Sequence, residues 1–487
     1  MYQRWIIVAT ILVTALLIQM PIVLNADLGW LLTANEKILD GEKLGVDVFE
    51  SNPPLSVYMY MPAVVLARIM GAAPEFIVIV LLIIEIVGAL FMIDCAAKAA
   101  KFGVRERNVL AWSFALLLAI LPGSVFGQRE HIAVIALTPF VAITAIRWRG
   151  FDPGPIAIFV GLGAGLALGI KPFFALVVGL PIIVTVVRQR SLRPLFTAEV
   201  CTAAVTAISY GAIVVTIFPA YLFTYAPMVT EAYLPIRREF DGLILIPIFV
   251  IGASILFLRF AAPQNVKVWS DATPWLAASV GGAATFLIQG KGWPYTAFAL
   301  CLFAIAAPLL NFCTKKMRML AAVPGLAVVA LIGLFLSAPA ASSYPLLEQR
   351  VRALVKRPRL LTITDHIALG HPLIRQLDGI WVGSSCAQLL AGGAMLLEQR
   401  PETTQDDRAK LDKIISFERQ RLLTDLRKGR PDVILVDTIL GSTIRFDWLA
   451  WASSEPEIRT ELSHYREVEG DGRVRIFVNE SLSTLDP

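Results

Sequence analysis

Eleven apolar stretches in the first 340 residues limit what this chain can fold into more than any other feature. They lie at 5–24, 75–97, 108–121, 131–147, 155–170, 172–187, 199–218, 242–260, 273–289, 293–311 and 319–337. A straight helix needs roughly 20 apolar residues to cross the hydrocarbon core. Several stretches are shorter, so loops and neighbouring helices must set their ends. Residues 1–340 carry 40 of the 81 charged side chains, 23 basic and 17 acidic, and the last 147 residues carry 41. Soluble chains average about 25% charged residues; the first part lies far below that value and the tail close to it. The sequence therefore predicts a mainly α polytopic membrane helix bundle of about 11 spans over 1–340, joined to a small soluble α/β domain over 341–487.

At 56% hydrophobic and 17% charged residues, with a mean hydropathy of +0.68, an ordinary cytosolic enzyme is excluded. The net charge of +5 comes from Lys and Arg beside apolar stretches, while the tail holds 20 basic and 21 acidic residues. That distribution serves membrane orientation, and no nucleic-acid partner is expected. Cys95, Cys201, Cys301 and Cys313 fall in or beside apolar stretches, and Cys386 alone lies in the tail. Neither a disulfide framework nor a thiol-ligated zinc site follows. No small-residue cleavage motif follows the first stretch, which reads as a retained span.

Orientation turns on 54–70, which is apolar but short and holds Pro54 and Pro62. Basic residues concentrate in short cytoplasmic loops. If 54–70 only dips into the outer leaflet or lies along it, Arg4 and the clusters at 98–107, 147–149, 188–193, 259–267 and 315–318 share one side. That side then holds 15 basic residues against 8 on the other. If 54–70 crosses, every later loop inverts. The count favours the first arrangement: N-terminus inside, a first outer loop over 25–74, and the C-terminal domain outside.

The outer face so defined collects residues that solvated loops do not need. Asp27 follows the first span, where a carboxylate near the bilayer surface suits a general base toward a hydroxyl; alternatively it merely ends the span. Residues 29–41 read as a short amphipathic helix stopped at Gly41, and Asn52-Pro53-Pro54 as a stiff extended approach to the next helix. A very short second outer loop brings Gln128, Arg129, Glu130 and His131 to the membrane face, with Arg129 suited to a phosphate and Glu130 or His131 to orienting an acceptor or a metal. The other reading is a local Arg–Glu pair capping a helix. Lys171 sits between two apolar stretches; it either snorkels to the interface or meets a phosphate as a point charge. The fourth loop offers Arg237 and Arg238 among aromatics, and the fifth offers Lys291, Trp293 and Tyr295 around glycines. Gly161, Gly163 and Gly165 lie in an apolar helix without a preceding strand and read as close helix packing. In the tail, RLLTI, PDVILVD and GRVRIFVNE read as strands and 405–427 as a charged helix.

An Asp just past the first span, a short helix ending in Gly, and then Asn-Pro-Pro-Leu together resemble the first loop of the GT-C glycosyltransferases. These are integral-membrane enzymes that use polyprenyl-phosphate-linked sugars, among them lipid A aminoarabinose transferases and protein O-mannosyltransferases. The resemblance implies a periplasmic or lumenal active site, Asp27 as base, Glu130 in place of a second-loop Asp, and a bacterial inner membrane as the location. It also implies a polyprenyl-phosphate sugar donor and a glycan, glycolipid or protein acceptor. Two positions depart from the family: Leu28 follows Asp27 where a second acid is common, and Asn52 precedes Pro-Pro where His is frequent.

A phosphate leaving group is stable as an anion, so breaking the sugar C1–O bond calls for cations and not for a general acid. Asp27 as base with Arg129, Lys171 and Lys291 around the phosphate meets that demand, provided that the five outer turns converge. A divalent metal can replace one cation, although no ligand cluster demands it. Two rivals remain. A transporter or flippase of a lipid-linked substrate would place charges near the midplane, and Glu85 and Asp94 inside the second span suit it. An O-antigen-ligase-like enzyme would take a pyrophosphate-linked glycan and lean more on Arg.

Overall fold

The computed structural model describes residues 2–20, 25–261, 269–314, 322–337, 344–470 and 472–481. Most of the basic cluster at 259–267, all of that at 315–318 and the Cys313 side chain lie outside the described residues. Each apolar stretch is helical where described. In chain order the helices are Tyr2–Gln19, Pro74–Ala99, Val104–Ala119, Arg129–Trp148, Ile156–Ile170, Ala175–Gln189, Ala198–Ile217, Phe240–Ala261, Trp269–Gln289, Phe298–Thr314 and Ala322–Leu336. Among the described residues, five helical stretches are long and apolar enough to cross a membrane: Pro74–Ala99, Arg129–Trp148, Pro172–Gln189, Ala198–Ile217 and Phe240–Arg259. The 54–70 stretch forms two short helices, Leu55–Tyr58 and Met61–Met70.

The chain divides into two compact units. One contains Met1–Ile22, Pro62–Ile213 and Arg237–Ala340; the other contains Val23–Met61, Val214–Ile236 and Ala341–Pro487. The sequence reading kept all of 1–340 together. By contacts, two loop segments group with the C-terminal residues, where side chains such as Phe49 find partners.

In the first unit, small residues let helices approach. A Cβ at Gly161 would run into the Glu199 carbonyl, and one at Gly165 into Thr206, so the helix Ile156–Ile170 lies hard against Ala198–Ile217. Helix ends carry buried ion pairs. Arg4 forks onto Asp94 at 2.7 and 3.0 Å, and Arg107 forks onto the same carboxylate at 2.8 and 2.5 Å. Asp94 is thus held by two guanidinium groups from neighbouring helices, which removes it from the features that suited a transporter. Arg147 likewise forks onto Glu199 at 2.5 and 2.9 Å.

The second unit centres on a sheet. Its strands are β1 (Arg359–Ile363), β2 (Ile380–Trp381), β3 (Val433–Asp437), β6 (Tyr465–Val468) and β7 (Val474–Asn479); a separate pair is β4 (Ile439–Leu440) and β5 (Ile444–Arg445). The sheet order is β2-β1-β3-β7-β6. β1 runs parallel to β2 and β3, with Leu360 opposite Val433, whereas β7 runs antiparallel to β3 and β6. All five residues of β3 are buried, as a strand covered on both faces requires. The crossover from β1 to β3 includes the helices Leu389–Glu398 and Gln405–Gly429. The latter starts at a capping box in which Thr404 and Asp407 satisfy each other's backbone N–H.

Candidate functional site

In the first unit, three helix ends meet around one ammonium. Lys171 follows the helix Ile156–Ile170 with extended backbone, φ −145°. Its Nζ donates to Glu130 Oε1 at 2.5 Å and to Gln289 Oε1 at 3.0 Å, and lies 5.9 Å from the Tyr295 ring centre. Glu130 stands in the first turn of Arg129–Trp148, and Gln289 ends Trp269–Gln289. Lys171 is therefore no lone ammonium, as the sequence suggested; its charge is shared with a carboxylate 41 residues away. Glu130 Oε2 and both amide atoms of Gln128 are buried with no hydrogen-bond partner among the described residues. Buried polar atoms are nearly always satisfied, so these three atoms stand out at one helix start.

Further cations gather beside it. Burial pushes the Lys291 ammonium down to about 8, and the charges of Arg237 and Lys171 add to the shift. Neighbouring like charges of this kind raise the local positive potential. Two glycines shape the loop: Gly290 and Gly292 have φ of +67° and +69°, and a Cβ on either would collide with the Arg237 or Arg238 side chain. The Arg238 N–H donates to the Gly290 carbonyl at 2.9 Å. Trp293 and Tyr295 follow, their rings 5.5 Å apart and inclined by 35°. Arg129 is buried at the start of its helix. His131 is engaged locally. Its Nδ1 accepts from the Gly127 N–H at 3.1 Å, and its Nε2 lies 2.7 Å from the Leu118 carbonyl. With both ring nitrogens occupied, it holds the turn before the helix and is not placed to take a metal.

The second unit contains Asp27 and Asn52. Asp27 does not end the first span; it lies in the first turn of the next helix, Ala26–Leu39, where Asn25 caps the start by accepting the Asp27 N–H at 2.9 Å. Asn52 donates through Nδ2 to Glu50 Oε1 at 2.6 Å, and its backbone N–H donates to the same oxygen at 3.0 Å. Trp30 Nε1 donates to Glu50 Oε2 at 2.7 Å. Glu50 thus ties the Asn-Pro-Pro segment to the Asp27 helix, a role that sequence reasoning missed. The signal for it was an acid two residues before Asn-Pro-Pro. Burial pushes the Cys386 thiol well above its ordinary value, and the charges of Glu50 and Asp27 add to that rise; both carboxylates therefore act on the same surroundings. Among the described residues no group of three His, Cys, Asp or Glu side chains could hold a metal ion.

No profile of a known protein family and no curated protein matches the sequence. Solved structures do match in fold. ArnT from Cupriavidus metallidurans bound to undecaprenyl phosphate is 14% identical, with a TM-score of 0.52 over 98% of each chain. The apo state of the same protein is 15% identical, with a TM-score of 0.51 over 99% of this chain and 98% of that one. The fold is therefore similar to that of these two ArnT structures.

Proposed function

We propose that this chain is an inverting glycosyltransferase that moves a sugar from a polyprenyl-phosphate donor to an acceptor hydroxyl on a cell-envelope glycan or glycolipid. The observation that carries this reading is the crowding of Lys171, Lys291 and Arg237 beside Tyr295 and Trp293, in a chain whose fold matches a protein solved with undecaprenyl phosphate. The cations hold the phosphodiester of the donor. As the C1–O bond breaks, its electron pair stays on the phosphate, whose growing charge these cations stabilise. The acceptor oxygen forms the new bond to C1 from the opposite side, and Asp27 takes its proton. The indole and phenol rings suit a sugar face. No step is assigned to a metal. The reading carries with it eleven spans in a bacterial inner membrane, an inward N-terminus, and a periplasmic C-terminal domain.

The test uses membranes from a strain lacking the gene, which supply both donor and acceptor. Adding purified chain should increase the mass of envelope glycans by one sugar. Asp27→Asn should slow that transfer by about 10²–10⁴-fold, the usual contribution of a general base, with undecaprenyl phosphate binding kept within about twofold. A flippase would tolerate the change, and transfer at the wild-type rate would sink the assignment.

A further inference from the structure

The helix Gln405–Gly429 carries a buried ionic network that no catalytic assignment uses. Glu418, Arg421 and Asp425 share one of its faces, and all three are buried. Arg421 donates through Nε and Nη2 to Glu418 at 3.2 and 2.7 Å, and through Nη1 to Ser384 Oγ at 3.1 Å and to Ser385 Oγ. Asp425 accepts from the N–H and the hydroxyl of Ser384 at 3.0 and 2.9 Å. A buried guanidinium is costly to desolvate, and apolar side chains of similar volume usually stabilise a core as well or better. The network fixes one particular object, the turn at Ser384–Ser385.

That turn grips the first loop. The Ser384 carbonyl accepts the Phe49 N–H at 2.8 Å. The Phe49 ring lies 5.7 Å from the Arg421 guanidinium, and its neighbours Tyr225 and Phe417 lie 5.2 and 5.7 Å away. The next residue is Glu50, whose carboxylate holds Trp30 and Asn52. Trp30 stands one turn after Asp27 on the same helix. A continuous series of contacts therefore runs from Arg421 through Ser384, Phe49 and Glu50 to the helix of the proposed base.

We infer that Arg421 is a positioning residue: by clamping Phe49 and the Ser384–Ser385 turn, it holds the Asp27 helix in the geometry that sugar transfer uses. The inference rests on the reading of Asp27 as the base. It gives the C-terminal domain a role in turnover without contact with donor or acceptor.

Hydrogen exchange on the full chain in lipid nanodiscs tests it, together with transfer normalised to the stoichiometry of undecaprenyl phosphate binding. In Arg421→Gln and in Phe49→Ala, amides of 46–52 should exchange about tenfold faster while β1 and β3 keep their protection. Transfer per binding site should fall by up to about 10²-fold, as small misplacements of reacting groups cost. A merely structural role would move neither quantity selectively. Should Arg421→Gln also expose β1 and β3, Phe49→Ala decides, because it removes the clamped ring and leaves the ionic network whole. Unchanged exchange at 46–52, or faster exchange with wild-type transfer per site, overturns the inference. Asp27→Asn separates the two ideas: it should slow transfer by about 10²–10⁴-fold and leave exchange at 46–52 as in the wild type. Transfer at the wild-type rate after that change defeats the base assignment and leaves the exchange result standing.

Discussion

Lys291 links charge to environment most directly. An ammonium with an ordinary value near 10.5 is pushed down to about 8 by burial, then by Arg237 and Lys171. Below pH 8 it is charged and can hold a phosphate; above it, the free chain loses that proton, while a bound phosphate retains it. Affinity for undecaprenyl phosphate should therefore fall about fivefold between pH 8 and 9, and hardly change between 6 and 7. Lys291→Gln should flatten the profile. Equilibrium binding in nanodiscs across that range checks both, and a flat wild-type curve counts against an anion held by Lys291. Residue identities alone announced the basic and aromatic character of this region. They did not announce that Glu130 neutralises part of Lys171, because a pair 41 positions apart depends on how helices meet. The Asp27 helix start was readable in hindsight: Asn25-Ala26-Asp27 is a cap followed by an acid in the first turn.

At the level of elements, apolar runs marked each helix in the first unit because a helix in lipid must be apolar along most of its length. Ends were harder to place, since glycine-mediated contacts and ion pairs set them. The sheet was legible for a related reason: β1 and β3 are short buried runs rich in β-branched residues, and β7 alternates. What escaped was the company kept by 23–61 and 214–236. Their side chains are ordinary for outer loops, and only their partners, such as Phe49 with Tyr225 and Tyr58 with Phe218, declare where they belong. The glycine reading for Ile156–Ile170 leads to a sharp expectation. Gly165→Leu should push this helix away from Ala198–Ile217 and cost about 1–3 kcal/mol, as overpacking does. Gly179→Leu, at a position open to added side chains, should cost far less. Thermal unfolding in detergent compares the two, and equal losses would contradict the packing argument.

For the whole molecule, the distribution of Lys and Arg predicts an orientation that can be tested. In a cysteine-free background, Lys43→Cys should react with a membrane-impermeant maleimide added to spheroplasts, and Ser191→Cys should react only after lysis. The reverse pattern would invert the proposed topology. The chain leaves and re-enters its two units repeatedly, so the second unit is assembled from an early segment, a middle one and a late one. During synthesis, Phe49 and Glu50 emerge hundreds of residues before Ser384 and Arg421. The segment bearing Asp27 must wait for these later residues before its contacts are complete. Maturation of such a fold is a late closing step, in which the early loop gains its partners only once Ser384 and Arg421 have been made.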